Sequence, residues 1–299
     1  METRKMNVAI LGSGNIGMDL LFKLKRSPLL NTALFIGRHA DSPNIKRAKQ
    51  MGYNVSAASV QAIVDDPYCC DIVFDATTAD AHKCAAPILR KLGKFVIDLT
   101  PSKVGKLCIP CLNGDECLNV DNVNMVTCGG QSIVPFANAV VKACGSAKYV
   151  ESNSVIASLS AGTGTRANID EYVHTTAAAL RQFSGVSQTK SMIVLNPADP
   201  PIKMRNTLYV ETDNPDIGKS AEAVASMEKV IQSYVPGFKV IVPPSLFADN
   251  IITVSTQVSG SCDFLPEYAG NLDIITCAAI EIAEKYAAKV MLQEGGCLL

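Results

Sequence analysis

The segment Gly12-Ser13-Gly14-Asn15-Ile16-Gly17 constrains this chain more than any other, because it stands between an apolar run at 7–11 and a helical stretch at 16–25. That stretch gathers Leu20, Leu21 and Leu24 on one face. A strand that turns on glycines directly into a helix is the opening of a βαβ unit. Gly12 permits the tight turn, Gly14 lets the backbone approach a pyrophosphate, and Gly17 allows the helix to pack on the strand. Unpaired N–H groups at the start of the helix then face the phosphates. Strand-like runs at 33–36, 71–74, 95–99 and 123–126, with a helix at 79–91, extend the pattern into an α/β domain with a parallel sheet. After Gly145 the period changes. Residues 148–160 alternate polar and apolar as a strand of a half-exposed antiparallel sheet would. Helices at 166–181 and 221–234 and strands at 192–195, 207–210, 238–242 and 251–258 complete a mixed α+β domain. An apolar helix at 271–292 closes the chain and is expected to return to the first domain. The expected division is therefore 1–128 with 271–299 for dinucleotide binding, and 129–270 for substrate binding and dimerisation.

With 299 residues the chain has room for two such domains. Its 27 Lys+Arg against 28 Asp+Glu give a net charge of -1, which argues against a nucleic-acid partner. No apolar run reaches the ~18 residues that a membrane helix needs. Eleven cysteines raise the question of disulfides, but the chain opens on Met-Glu-Thr-Arg-Lys-Met with no secretory signal, so a reduced cytoplasmic protein is expected.

Cys128 differs from the other ten. It follows the strand at 123–126 and is succeeded by Gly129, Gly130 and Gln131, with an apolar helix expected at 132–144. A helix N-terminus lowers a thiol pKa and so favours the nucleophilic thiolate. The N–H groups of Gly130 and Gln131 are expected to stabilise an oxyanion. Cys69, Cys70, Cys84, Cys144, Cys262 and Cys277 read as small apolar residues. Cys108 and Cys111 have C-x-x-C spacing, but there is no second matching pair and no nearby histidine, so no metal site is expected. No helix obviously starts at Cys108, which speaks against a redox pair. Cys297 misses the prenylation spacing. None of His39, His82 and His174 stands obviously beside Cys128, so a Cys-His dyad has little support.

The acidic residue expected at the end of the second strand, to hold a ribose, is missing, and the chain reads Gly37-Arg38-His39-Ala40-Asp41. Arg38 offers a cation to a 2′-phosphate and Asp41 a carboxylate to a ribose. NAD is weakly favoured, and NADP stays open.

Several longer motifs accompany the glycine turn: Asp98-Leu-Thr-Pro101, Asn122-Val-Asn-Met-Val-Thr-Cys128-Gly-Gly-Gln131, Ser160-Ala-Gly-Thr-Gly-Thr-Arg-Ala-Asn168-Ile-Asp-Glu171 and Tyr268-Ala-Gly-Asn271-Leu-Asp273. Together they span nearly the whole chain, and in order and content it resembles the aldolase-associated, acylating acetaldehyde dehydrogenases. The resemblance implies the two-domain architecture of glyceraldehyde-3-phosphate and semialdehyde dehydrogenases, with a Rossmann domain followed by a catalytic and dimerisation domain. It implies conversion of a short aldehyde, NAD and coenzyme A to acyl-CoA and NADH, with Cys128 matching the nucleophile that carries the acyl thioester. Ser13, Gly14, Asn15 and Ile16 match dinucleotide-binding positions. So do Ser160, Ala161, Gly162, Thr163, Gly164, Thr165, Arg166, Ala167 and Asn168, together with Asn271. The loop at 162–166, flexible and opening a helix, also reads as an anion cradle on its own residues. Family members work with a 4-hydroxy-2-oxovalerate-type aldolase in the breakdown of aromatic compounds, which implies a homodimer within a heterotetramer.

One position departs from the family pattern. Where Met-Arg-Asp is expected, this chain has Met204-Arg205-Asn206, and an asparagine hydrogen-bonds without accepting a proton. The change implies either a slower enzyme that relies on the helix N-terminus to form its thiolate or altered substrate use, unless Asn206 replaces the aspartate as an orienting group with little effect. Two other functions fit the same motifs: a phosphorylating semialdehyde dehydrogenase, and an inactive dinucleotide-binding partner of an aldolase.

Overall fold

A computed structural model describes residues 5–295, with 163, 164, 294 and 295 described by backbone alone. The chain divides into two compact units, Met1–Met125 with Thr276–Leu299, and Val126–Ile275. Cys297 lies outside the described residues.

The first unit holds β1 (Met6–Leu11), α1 (Asn15–Leu24), β2 (Leu30–Ile36), α2 (Pro43–Gln50), β3 (Val55–Ser56), α3 (Gln61–Asp65), β4 (Ile72–Asp75), α4 (Ala79–Lys91), β5 (Phe95–Asp98), β6 (Lys106–Leu107), α5 (Pro110–Cys117) and β7 (Asn122–Asn124). Its seven strands run in the order β3-β2-β1-β4-β5-β7-β6, and every pairing is parallel. β1, β4 and β5 are apolar because helices cover both faces of such a sheet. Val8, Ile10, Ile72, Phe74 and Ile97 are wholly buried. The strand order reverses between β1 and β4, and a doubly wound sheet binds its ligand outside the carboxyl ends of the strands at that point.

The second unit holds α6 (Cys128–Cys144), β8 (Tyr149–Ala157), α7 (Thr163–Ala167), α8 (Ile169–Ser184), β9 (Gln188–Asn196), β10 (Met204–Glu211), α9 (Ile217–Gln232), β11 (Phe238–Ala248) and β12 (Ile251–Val258). The order is β11-β12-β10-β8-β9. Alternation predicted an antiparallel strand at 148–160, and β8 does pair antiparallel with β10, but β8 and β9 are parallel because α7 and α8 cross over between them. One face of this sheet packs on α6, α8 and α9.

α10 (Gly270–Gly295) begins among residues of the second unit and ends among those of the first. In the first unit Thr276 Oγ1 donates to Asp19 Oδ2 at 2.6 Å, Ser27 Oγ donates to Glu284 Oε1 at 2.6 Å, and Tyr286 stacks on Phe95 with centroids 3.9 Å apart. Among the described residues no helix is long and apolar enough to cross a membrane.

Candidate active site

In the first unit the glycine turn has the shape its sequence requires. Gly12 has φ +122°, and a Cβ there would lie 2.5 Å from the Ala76 carbonyl oxygen. A Cβ on Gly17 would lie 1.9 Å from Gly12 O, so both positions exclude a side chain. At Gly14 a Cβ would meet nothing within 4 Å. This open backbone at the mouth of α1 leaves room for an anionic group, and the first turn of α1 has no side-chain cap and no acidic residue to compete. Ser13 is fixed from both sides: Asn44 Nδ2 donates to its carbonyl at 2.8 Å, and its hydroxyl lies against Gly37, where a Cβ would approach Oγ to 2.7 Å. Gly14 and Asn15 are exposed and Ile16 is half-buried. Beyond β2, Arg38 is exposed and has no ion pair or hydrogen bond among the described residues.

The second unit opens on a strained residue. Val126 is β-branched and buried, yet has φ +60°, a conformation that costs about 1–3 kcal/mol and persists where the surroundings enforce it. It turns the chain into Thr127, whose hydroxyl caps α6 by accepting from Gly130 N at 2.9 Å and pairs with Thr176 Oγ1 at 2.7 Å. Cys128 is thus the first residue of α6. The helix starts four residues earlier than its apolar pattern suggests. Gly129 and Gly130 are not helix breakers but close-packing residues. A Cβ on Gly129 would lie 2.1 Å from Tyr172 Oη and 2.4 Å from Ser154 Oγ, and one on Gly130 would lie 2.6 Å from Val126 Cγ1.

Tyr172, on α8, is the partner that sequence reasoning missed. Its hydroxyl accepts from Gly129 N at 3.0 Å and from the Cys128 thiol at 3.7 Å. The cap also changes which amides are free. Gly130 N is spent on Thr127 Oγ1, and Gln131 N donates to Thr127 O at 2.9 Å, so neither is available for an oxyanion as their positions suggested. The thiol itself departs from the expected lowering. Burial pushes Cys128 up to about 11, against the opposing hydrogen bond to Tyr172 and the backbone N–H groups of Gly129 and Cys128. Burial likewise drives the Tyr172 phenol well above its ordinary value, so it keeps its proton.

Asn206 is wholly buried on β10, where it pairs across to Ser154 and Thr256. Its Nδ2 donates to Ser132 Oγ at 2.8 Å, Ser132 is bonded to Thr256 Oγ1 at 2.9 Å, and Asn206 Oδ1 has no partner. It braces α6 one turn beyond the cysteine. His174 lies exposed on α8.

The loop at 160–168 meets Asn271, whose Nδ2 donates to Ser160 O at 3.4 Å while its buried Oδ1 has no partner. Ser160 and Ala161 are buried, Gly162, Arg166 and Ala167 exposed, Thr165 and Asn168 half-buried. Of Thr163 and Gly164 only the backbone is described. The anion cradle expected at 162–166 is weakened on two counts. α7 has five residues, too short for an appreciable dipole, and Arg166 spends its guanidinium on Ala161 O, Ser158 O and Ser158 Oγ.

The other described cysteines are free thiols. Cys84 and Cys262 are exposed rather than parts of an apolar core. A helix does begin beside Cys108, at Pro110, yet Cys108 and Cys117 are buried and share a hydrogen bond that pushes Cys108 up and draws Cys117 down.

Comparison with known proteins places this geometry. Residues 7–117 match the model "Semialdehyde dehydrogenase, NAD binding domain", and residues 128–266 match "Prokaryotic acetaldehyde dehydrogenase, dimerisation". An acetaldehyde dehydrogenase of Pectobacterium atrosepticum is 49% identical over 283 residues, covering 94% of this chain and 95% of its own. The chain belongs to the acetaldehyde dehydrogenase family. Another member, from Spirochaeta aurantia, is 47% identical over 96% of both chains. The fold is shared more widely: aspartate semialdehyde dehydrogenase II of Vibrio cholerae superposes with a TM-score of 0.66 at 17% identity, over 94% of this chain and 98% of its own. As an acetaldehyde dehydrogenase the protein is an oxidoreductase that uses NAD.

Proposed function

We propose that the protein is an acylating aldehyde dehydrogenase that converts acetaldehyde or another short aldehyde, with NAD and coenzyme A, to acyl-CoA and NADH through a thioester on Cys128. We assign dinucleotide binding to the first unit, and acyl chemistry and dimerisation to the second. The observation that carries the reading is Cys128 at the first position of α6, with the Tyr172 hydroxyl as its neighbour and glycine at the next two positions.

The Cys128 sulfur bonds to the aldehyde carbon while its proton passes to the carbonyl oxygen, giving a thiohemiacetal. The thiohemiacetal then loses its C–H hydrogen as hydride, for which bound NAD would supply the acceptor, and its hydroxyl proton leaves to solvent. Cys128 then carries a thioester, a form in which the acyl group stays reactive toward a second thiol. The thiol of coenzyme A attacks that carbonyl, the bond to Sγ breaks, and Cys128 regains a proton. Tyr172, protonated throughout, donates to the carbonyl oxygen as negative charge builds on it in each attack. The half-buried thiol, its pKa raised by desolvation, is protonated at rest, so its reactivity is gated by the substrate that takes up its proton.

The dinucleotide is held by Ser13, Gly14, Asn15 and Ile16 at the mouth of α1, with the loop at 160–168 and Asn271 assigned as further contacts by family likeness. Arg38 leaves NADP acceptable beside NAD. A second copy of the chain covers the uncovered face of the second unit's sheet, where Tyr149, Arg205, Thr207 and Tyr209 stand half-buried or exposed and Leu246 and Phe247 lie open at its edge. Association with a 4-hydroxy-2-oxovalerate-type aldolase and a cytoplasmic location, in keeping with the free thiols, complete the reading.

The test is NADH formation from acetaldehyde and NAD with either coenzyme A or phosphate as acceptor. Turnover with coenzyme A that vanishes in Cys128→Ala supports the reading. Turnover with phosphate alone would make the protein a phosphorylating semialdehyde dehydrogenase, and dinucleotide binding without turnover would make it an inactive partner.

A further inference from the structure

His82 has no part in the chemistry above, yet it is a wholly buried titratable group of the first unit. It is wholly buried on α4, with Nδ1 2.8 Å from Asp75 Oδ2 and Nε2 3.5 Å from Asp98 Oδ2; both carboxylates are buried as well. Asp75 ends β4 and Asp98 ends β5, on the edge of the sheet where the ligand binds. Each carboxylate holds the loop that follows it. Asp75 Oδ1 accepts from Thr77 N at 3.0 Å and Thr77 Oγ1 at 2.5 Å, beside the Ala76 carbonyl against which Gly12 packs. Asp98 accepts from Thr100 N at 2.7 Å and Ser102 Oγ at 2.6 Å.

The protonation state of the ring follows from its neighbours. Asn122 Nδ2 is placed 3.0 Å from His82 Nε2, while Asn122 Oδ1 is buried without a partner. With this amide turned over, Oδ1 accepts from a protonated Nε2. A neutral ring would instead aim a lone pair at Asp98. Burial lowers the affinity of His82 for a proton, but the bond to Asp75 and the fields of Asp98 and Asp75, the charged groups that face the ring, outweigh it and raise its pKa.

We propose that His82 is a positioning residue for the dinucleotide: as a buried imidazolium it ties Asp75 to Asp98, and so fixes the loops after β4 and β5 in the arrangement that receives the cofactor. The inference rests on the assignment of dinucleotide binding to the first unit. Its consequence is a linkage between proton and ligand. Affinity for NADH is full while His82 is charged and falls as pH rises through its folded pKa. By reciprocity, NADH raises that pKa.

The test combines nitrogen-15 NMR of histidine-labelled protein with NADH affinity, measured by fluorescence across pH for wild type and His82→Gln. With only three histidines in the chain, the signal lost in the variant identifies His82. The expected results are a His82 pKa above that of a free histidine, a Kd for NADH that rises with the same midpoint as the NMR titration, and about tenfold weaker binding with a flat profile in the variant. A role in folding alone would give no shared midpoint. A His82 pKa below that of a free histidine, or wild-type affinity and profile in His82→Gln, overturns the proposal. If the variant does not fold, the wild-type midpoints decide: coincidence supports the proposal and divergence overturns it. Wild type that binds no NADH at any pH would instead remove the dinucleotide assignment beneath it.

Discussion

The carboxyl edge of the first unit and the nucleophile's surroundings in the second are both buried polar networks, built from opposite materials. The first is ionic: Asp75, His82 and Asp98 hold two loops. The second is neutral: the hydroxyls of Thr127, Thr176, Ser132, Thr256 and Tyr172 and the amide of Asn206 brace α6 without a formal charge. A buried charge is costly unless it is paired or hydrogen-bonded, and the first network sets one imidazolium between two carboxylates that also accept from Thr77, Thr100 and Ser102. The second has no charge to pair. Asn206, bonded to Ser132 one turn beyond Cys128, belongs to this neutral network.

Two glycines, the first with the largest effect expected, probe this contrast as a pair. Gly129→Ala drives a methyl into Tyr172 and Ser154, and overpacking of this kind costs about 1–3 kcal/mol. A lowered Tm and loss of nearly all turnover are expected, with NADH affinity retained. Gly14→Ala meets no neighbour, so Tm should hold while NADH affinity drops about tenfold or more. Equal effects of the two variants on Tm would show that both glycines serve packing.

Tyr172→Phe comes next. It strands the Gly129 N–H at a cost of about 1–3 kcal/mol, and kcat should fall on the order of a hundredfold as the oxyanion donor is lost. Unchanged kcat would remove Tyr172 from the chemistry.

A smaller effect concerns the thiol at rest. With its pKa pushed up to about 11, Cys128 is mostly protonated at pH 8, and the thiolate fraction grows as pH rises. Alkylation by iodoacetamide, followed by mass spectrometry of the Cys128 peptide, should therefore be slower at pH 8 than for a free cysteine of pKa about 8.5 and should keep rising beyond pH 10. A plateau near pH 7 would show that the helix N-terminus prevails over burial. The smallest effect is expected from Arg38→Asp, which should weaken NADPH binding severalfold in titration calorimetry and leave NADH binding little changed.

These residues differ in how legible they are in the sequence. The glycine turn and the alternation of strands and helices show through because their requirements are local. Cys128 shows through because a strand, a cysteine and two glycines are contiguous. The start of α6 does not, since glycines that avoid Tyr172 and Val126 resemble glycines that end a helix. Tyr172 lies 44 residues from Cys128 along the chain and meets it only through the packing of α8 on α6. α2 escapes because its polar sequence buries only Ile45 and Ala48. The tie between Asp75, His82 and Asp98 escapes because it is made where two parallel strands and a helix converge.

The most direct test of the account is intact-protein and peptide mass spectrometry after acetaldehyde and NAD are added without coenzyme A. The account predicts an acetyl group on the Cys128 peptide, formed with an equivalent of NADH and discharged on adding coenzyme A. NADH formation with no acetyl group on Cys128, or with the acetyl group on another cysteine, would contradict it.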